Sequence, residues 1–198
     1  MKKPVQIVIQ PEALYVIAAA NGRVLEVANY NTNDGAAVQL WDYAGEPWQQ
    51  WTFAQVGENT YRSKNKFTGK LIDLALRGTQ EGTLLHQWSQ TTHPSQTWRL
   101  EPASRGTRIR NVHADKCIDL AEMGSANGTR AQIWTDVEGG SQEWTIRRVD
   151  DKPAKQTAAA PKQAAPKDVS KAAETRKSET VKKIAGKTKT AAKRKKKD

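Results

Sequence analysis

The sequence predicts an all-β fold built from three internal repeats, and two observations support this prediction. Three ungapped segments of twenty residues resemble one another: GRVLEVANYNTNDGAAVQLW, GKLIDLALRGTQEGTLLHQW and DKCIDLAEMGSANGTRAQIW. Ten residues after the last Trp of each segment another Trp closes a Gln-x-Trp triplet, at Trp51, Trp98 and Trp144. Six of the seven Trp residues keep this register, whose period is 47 and then 46 residues, so the chain contains three copies of one unit.

Each repeat has a β pattern. Short apolar runs such as Val24-Leu25 are bounded by Gly, Asn and Asp, and alternating segments such as Trp98-Arg99-Leu100 follow each Gln-x-Trp triplet. Matching Asp-Gly, Glu-Gly and Asn-Gly pairs end at Gly35, Gly82 and Gly128 and predict hairpin turns. We therefore expect about four short strands per repeat and about twelve in all, in repeats that span roughly 12–57, 58–104 and 105–150.

Two architectures fit three such repeats. A solenoid is one alternative, but a solenoid needs terminal repeats that cover its edges, and no repeat here is atypical. A closed β-trefoil protects every strand edge by pairing it with another repeat, so the sequence favours a trefoil over residues 1–150.

Residues 151–198 differ in composition from the rest of the chain. They contain no aromatic residue, they are rich in Lys, Ala and Pro, and they carry the whole net charge of +11, whereas residues 1–150 are neutral. Such a segment cannot bury enough apolar surface to offset the entropy of ordering, so we expect a disordered basic tail. The tail is either a solubilising segment or one that binds a polyanion such as nucleic acid, without sequence preference.

The repeats resemble the R-type lectin domain of the ricin B chain and the related carbohydrate-binding modules of bacterial glycosidases. The resemblance rests on the Gln-x-Trp triplets and covers roughly residues 12–150. It implies a six-stranded barrel capped by three hairpins, with Trp51, Trp98 and Trp144 as structural core residues.

The resemblance also implies where a sugar binds. The family places an Asp early in the repeat, an aromatic residue fifteen positions later, a Gln two positions before that aromatic residue, and a polar residue just ahead of the Gln-x-Trp triplet. In repeat three these positions hold Asp119, Trp134, Gln132 and Ser141. The polar groups suit vicinal hydroxyls, and the indole suits the apolar C–H face of a sugar ring.

Repeats two and one depart from this pattern to different degrees. Repeat two keeps Asp73, Trp88 and Ser95, but His86 replaces the Gln, and an imidazole still makes one hydrogen bond. The candidate residues of repeat one are Glu26, Gln39 and Trp41. There Glu replaces Asp and Trp48 replaces Ser, so we expect a weaker site in repeat one.

The single cysteine excludes an internal disulfide. Secreted members of the resembled family often join the cysteine at the position of Cys117 to one at the position that Asp136 occupies here. We therefore expect Cys117 to be a buried free thiol. Polar residues and Pro4 interrupt the amino-terminal segment, so the sequence predicts no signal peptide and an intracellular, cytoplasmic protein, with a nuclear or nucleoid location possible through the basic tail.

The sequence lacks a recognisable catalytic arrangement. The three His residues share no metal-ligand spacing with Cys117 or with each other, and no phosphate-binding Gly-rich loop is present. We expect a carbohydrate-binding lectin module that needs no metal or cofactor, is not an enzyme, and binds a glycan or glycoconjugate. The alternative is a nucleic-acid-associated or scaffold protein whose trefoil binds other proteins.

Overall fold

The fold is seen in a computed structural model, which describes residues 7–137 and 140–150. The expected basic tail, residues 151–198, and the first six residues lie outside the described residues.

Twelve strands form the described part of the chain, as the sequence predicts. Their bounds are β1 Tyr15–Ala18, β2 Val24–Val27, β3 Val38–Trp41, β4 Trp51–Gly57, β5 Thr60–Asn65, β6 Leu71–Leu74, β7 Leu85–Trp88, β8 Trp98–Pro102, β9 Thr107–Asn111, β10 Cys117–Leu120, β11 Ala131–Trp134 and β12 Thr145–Arg148. Short 3₁₀ turns follow the first strand of each hairpin (Ala28–Tyr30, Ala75–Arg77, Ala121–Met123) and precede each Gln-x-Trp strand (Pro47–Gln49, Pro94–Gln96, Gly140–Gln142).

Six of the strands close a barrel. The antiparallel pairs run β12-β1-β4-β5-β8-β9, and a further bridge joins Thr107 of β9 to Trp144, next to β12, through two backbone hydrogen bonds of 2.8 and 2.9 Å. Because this bridge joins the two ends of the row of paired strands, the barrel is closed and has no unpaired edge strand. The chain is therefore the predicted β-trefoil and not a solenoid.

The remaining six strands make three hairpins, β2-β3, β6-β7 and β10-β11, which interlock at one end of the barrel. The turn glycine of each hairpin, Gly35, Gly82 or Gly128, donates its backbone N–H to a strand of the next hairpin at 2.9 Å. All three glycines have φ between 79° and 88°, which is the left-handed region that other residues rarely adopt. The connections are longer than tight two-residue turns, since residues 28–37 join β2 to β3.

The core lies inside the barrel and beneath the hairpins. Trp51, Trp98 and Trp144 are at most 1 % exposed. Each indole Nε1 donates a hydrogen bond of 3.1 Å to a backbone oxygen of the first hairpin strand in its own repeat. The Gln-x-Trp strands thus attach the hairpins to the barrel, and the hairpins carry the candidate site.

Candidate functional site

The hairpin register brings each early carboxylate beside a residue that lies thirteen positions later. Glu26 pairs with Gln39, Asp73 with His86 and Asp119 with Gln132 as directly opposed residues. Directly opposed side chains lie on one face of the pair, and so does the residue two positions further along. The indoles at the ends of β3, β7 and β11 therefore share a face with the carboxylates, as the family pattern requires.

The first Gln of each Gln-x-Trp triplet holds the carboxylate of its repeat. Gln96 Nε2 donates to Asp73 Oδ2 at 2.9 Å, and Gln49 Nε2 donates to Glu26 Oε2 at 3.0 Å. The corresponding distance from Gln142 in repeat three is 3.5 Å, at the limit of a hydrogen bond. These glutamines were not among the predicted site residues, although each lies 23 residues after its carboxylate, and this constant spacing was a usable signal.

Repeat two has an open cleft with a volume of about 160 Å³. Asp73, His86 and Trp88 line it together with Leu74, Leu76, Arg77 and Thr91. Trp88 is 39 % exposed, and the His86 ring stacks on it with the centroids 5.1 Å apart. Burial lowers the pKa of His86 below its ordinary value, which favours the neutral imidazole.

Two donors fix the Asp73 carboxylate at this cleft. The backbone N–H of Leu74 donates to Oδ1 at 2.7 Å, and Gln96 donates to Oδ2. The expected fourth residue, Ser95, lies elsewhere: it is buried, its hydroxyl contacts His93 Nδ1 at 3.0 Å, and it does not line the cleft.

Repeat three has the same pairing of a carboxylate with an exposed indole. Trp134 is 37 % exposed, and the Asp119 carboxylate accepts a hydrogen bond of 2.8 Å from the backbone of Leu120. Gln132 is half-buried opposite Asp119. Ser141 is half-buried on the 3₁₀ turn that precedes the core strand.

Repeat one is closed. Glu26 is 1 % exposed, and Gln39 turns inward to donate to its Oε1 at 2.9 Å, while Gln49 occupies Oε2. Burial raises the pKa of Glu26 above its ordinary value, although hydrogen bonds from Gln39, Gln49 and Trp48 act to lower it. Trp48 packs edge-on against Tyr30 with the centroids 4.2 Å apart. The longer carboxylate of repeat one is thus used inside the protein, and Trp41 is only half-exposed above it.

A glycine from the preceding hairpin lies behind each of the exposed indoles. A methyl group on Gly35 would contact Trp88 Cζ3 at 3.7 Å, and one on Gly82 would contact Trp134 Cζ3 at 3.9 Å. Each candidate site therefore lies at a junction between two repeats.

Cys117 is a buried free thiol, as expected. Burial raises its pKa to about 11. Asp136, at the partner position, instead forms ion pairs with Arg108 at 3.0 Å and Arg110 at 2.6 Å. An ion-pair network stands where the resemblance places a disulfide in secreted proteins.

The described residues contain no cluster of three or more His, Cys, Asp or Glu side chains able to hold a metal ion. Within the same residues, no helix has the length and apolar character needed to cross a membrane.

Many solved structures are similar to this chain, and three of them illustrate the likeness. The designed threefold-symmetric protein ThreeFoil is 27 % identical with a TM-score of 0.65, and the match covers 67 % of this chain and 96 % of that one. The exo-β-1,3-galactanase 1,3Gal43A from Clostridium thermocellum is 26 % identical with a TM-score of 0.67, over 70 % of this chain and 31 % of that one. This chain therefore spans about a third of the galactanase.

The C-half of an earthworm R-type lectin, solved in complex with GalNAc, is 20 % identical and shares the fold with a TM-score of 0.57, over 69 % of this chain and 98 % of that one. A comparison with curated proteins gave no match. The model of the ricin-type β-trefoil lectin domain-like family matches residues 8–88, 47–134 and 94–162, which together span most of the chain. Since this family model matches most of the chain and the fold is a β-trefoil of three repeats, the chain belongs to the ricin-type β-trefoil lectin-like family.

Proposed function

We propose that this chain is a non-catalytic carbohydrate-binding module that holds sugars at repeats two and three. One observation carries the proposal: in both repeats an ordered carboxylate lies on the same hairpin face as an exposed indole. The carboxylate accepts hydrogen bonds from two adjacent sugar hydroxyls, and the indole packs against the apolar C–H face of the ring.

The carboxylates of repeats two and three suit this role because Asp73 and Asp119 keep 5 % and 7 % exposure, against 1 % for Glu26. An ionised carboxylate has about four lone-pair sites, and Asp73 uses two of them, for Leu74 and Gln96. Glu26 of repeat one has both oxygens engaged by side-chain amides and almost no exposure. In repeat one the carboxylate therefore stabilises the fold and does not bind a sugar.

The similar structures suggest which sugars to test first. One similar lectin was solved with GalNAc and one similar enzyme acts on β-1,3-galactan, so galactose-type ligands are the first choice. The sites are shallow, so we expect single-site dissociation constants on the order of mM to tens of μM, and higher avidity for multivalent ligands.

Trp88→Ala, Trp134→Ala and the double variant test this function, with Trp41→Ala of the closed repeat as the matched control. In titration calorimetry with galactose-type and xylose-type ligands, each single variant should lose one site and the double variant should lose all binding. Trp41→Ala should keep both sites. Unchanged binding by the double variant contradicts the proposal.

We further propose that residues 151–198 form a separate basic tail that binds polyanions without sequence preference. The support is the charge distribution, +11 in these residues and zero in residues 1–150. Neutralised phosphates release counterions, so this binding should weaken steeply with salt, whereas stacking and neutral hydrogen bonds to a sugar should not.

Cleavage near residue 150 tests this division of labour. Glycan binding should remain with residues 1–150, and binding of DNA, RNA or anionic vesicles should follow the tail and fall between 50 and 200 mM salt, as counterion release predicts. Nucleic-acid binding by the isolated trefoil as tight as that of the full chain would instead favour the scaffold function.

The single buried thiol supports a reducing, intracellular setting for this protein. Surface labelling of Cys117 should be slow in the native protein because the thiol is buried and its pKa is raised.

A further inference from the structure

Arg77 is an exposed cation that lines the cleft of repeat two. Within residues 7–137 and 140–150 it makes no ion pair and no hydrogen bond. By contrast, Arg23 is paired with Asp42 at 2.9 Å and Arg110 with Glu101 at 3.0 Å. We propose that the repeat-two cleft selects glycans that carry an anionic substituent, a carboxylate or a sulfate, and that Arg77 is the residue that selects them. This inference rests on the proposed sugar binding at repeat two.

The fold presents the side chain of Arg77 at a defined place but does not require an arginine there. The 3₁₀ turn Ala75–Arg77 places Leu76 and Arg77 at φ values of 53° and 57°, and the N–H of Gly78 closes the turn on Ala75 O at 3.0 Å. The equivalent residues Tyr30 and Met123 have φ values of 54° and 53°. The second left-handed position of this turn thus accepts an aromatic, a basic or an apolar side chain, and only repeat two places a charge there; repeat three has Glu122 at the first left-handed position.

The three titratable side chains that line the cleft differ in their charge and in their partners. Asp73 accepts hydrogen bonds from two neutral donors, so its carboxylate is ordered without a cation. Burial lowers the pKa of His86, which favours its neutral form. Arg77 is therefore the cation among the residues that line the cleft. A ligand fits this pattern if it offers hydroxyls to Asp73 and an acidic group to Arg77.

A guanidinium is suited to this selection. Its planar donors match both oxygens of a carboxylate or two oxygens of a sulfate. Leu76, at the mouth of the same cleft, is 99 % exposed and adds apolar surface beside the cation.

The test compares paired neutral and acidic methyl glycosides: galactoside with galacturonide and galactose 6-sulfate, and glucoside with glucuronide. The full-length protein carries Trp134→Ala, so that repeat two is the site whose sugar binding is measured. We expect the acidic member of a pair to bind about two- to fivefold more tightly at low salt, which is the range of exposed ion pairs, with the preference fading at 0.5 M salt. The galacturonide and the sulfate distinguish the two kinds of acidic group.

Arg77→Met is the matched variant, because methionine already occupies this turn in repeat three. It should bind the neutral glycosides as before and lose the acidic preference, while Arg77→Lys should retain part of it. The basic tail is present in all variants, so a difference in acidic preference between them is caused by the cleft. In protein with intact Trp134 and with Trp88→Ala, Met123→Arg should introduce the preference into repeat three.

Equal affinity for both members of each pair, or a preference that survives in Arg77→Met, overturns the selection by Arg77 while leaving sugar binding intact. Failure of every glycoside to bind the protein with both sites intact contradicts the proposed function itself, and the inference falls with it.

Discussion

Gln96 Nε2 donates a hydrogen bond of 2.9 Å to Oδ2 of Asp73, which links the hydrophobic core to the candidate sugar site. The same nitrogen donates to Ser89 O at 2.9 Å, and Gln96 Oε1 accepts from the N–H of Thr91 at 2.8 Å. Three hydrogen bonds therefore set the orientation of this amide, two residues before the buried Trp98. A buried, fully bonded amide is a rigid support for a ligand-binding carboxylate.

Gln96→Ala should destabilise the fold and remove sugar binding at repeat two. The change leaves the N–H of Thr91 without its acceptor and removes one of the two donors to Asp73, at a cost of about 1–3 kcal/mol in the free energy of unfolding. Gln49→Ala removes the same bonds in the closed repeat and is the control. It should cost a similar amount in urea unfolding without changing glycan affinity. Loss of affinity in both variants would mean that stability alone governs binding.

Truncation of the two Trp residues of repeat two should affect different properties, stability in one case and sugar binding in the other. Trp98 is fully buried and bonded to Ile72 O, so Trp98→Ala should lower the free energy of unfolding by about 3–5 kcal/mol. Trp88 is 39 % exposed, so Trp88→Ala should change stability much less and affect mainly sugar binding. Thermal unfolding and titration calorimetry on both variants check this; a large loss of stability in Trp88→Ala would assign it to the core.

Sugar binding at repeat two should weaken in acid. The folded-state pKa of His86 lies below its ordinary value of 6.5 because of burial, and a bound sugar buries the ring further. The ligand therefore favours the neutral imidazole, and affinity should fall as the pH drops through this lowered pKa.

His86→Gln gives repeat two the residue that repeats one and three have at this position, and it should make the affinity independent of pH in this range. Titrations between pH 7.5 and 4.5 on the Trp134→Ala background compare the two proteins. An equal pH dependence in His86→Gln would assign the effect to another group.

Glu26 should make the protein less stable as the pH rises. Its folded-state pKa is raised above the unfolded value of 4.5, so the folded protein holds a proton that the unfolded chain has released. The stabilisation is full below pH 4.5 and is lost as the pH rises through the folded-state pKa. Glu26→Gln removes this linkage.

The difference in unfolding free energy, wild type minus Glu26→Gln, should therefore decline with pH across that window. Asp119→Asn, at the equivalent position of repeat three, is the comparison. A difference that rises with pH would show that the hydrogen bonds from Gln39 and Gln49 outweigh burial.

Local sequence patterns determined most of the fold. The period of the Trp residues, the Gly-containing turns and the alternation after each Gln-x-Trp triplet predicted three repeats of four strands. The family resemblance supplied the candidate residues at a fixed separation along the chain. The antiparallel register of the structure turns this separation into an opposed pair, so that Asp73 lies opposite His86.

Only the tertiary structure decided which repeats are open. Gln39 and Gln132 occupy equivalent positions, yet Gln39 is bonded to the buried Glu26 while Gln132 remains half-exposed. The close approach of Gly35 to Trp88 arises from packing between hairpins of different repeats, and the Ser95 hydroxyl contacts His93 and not the cleft. Such contacts depend on how the closed barrel brings the three hairpins together and on which donors lie within hydrogen-bond distance of each carboxylate. Spacing within one repeat carries no information about either, so the sequence identified the candidate residues and the closed fold determined which of them face solvent.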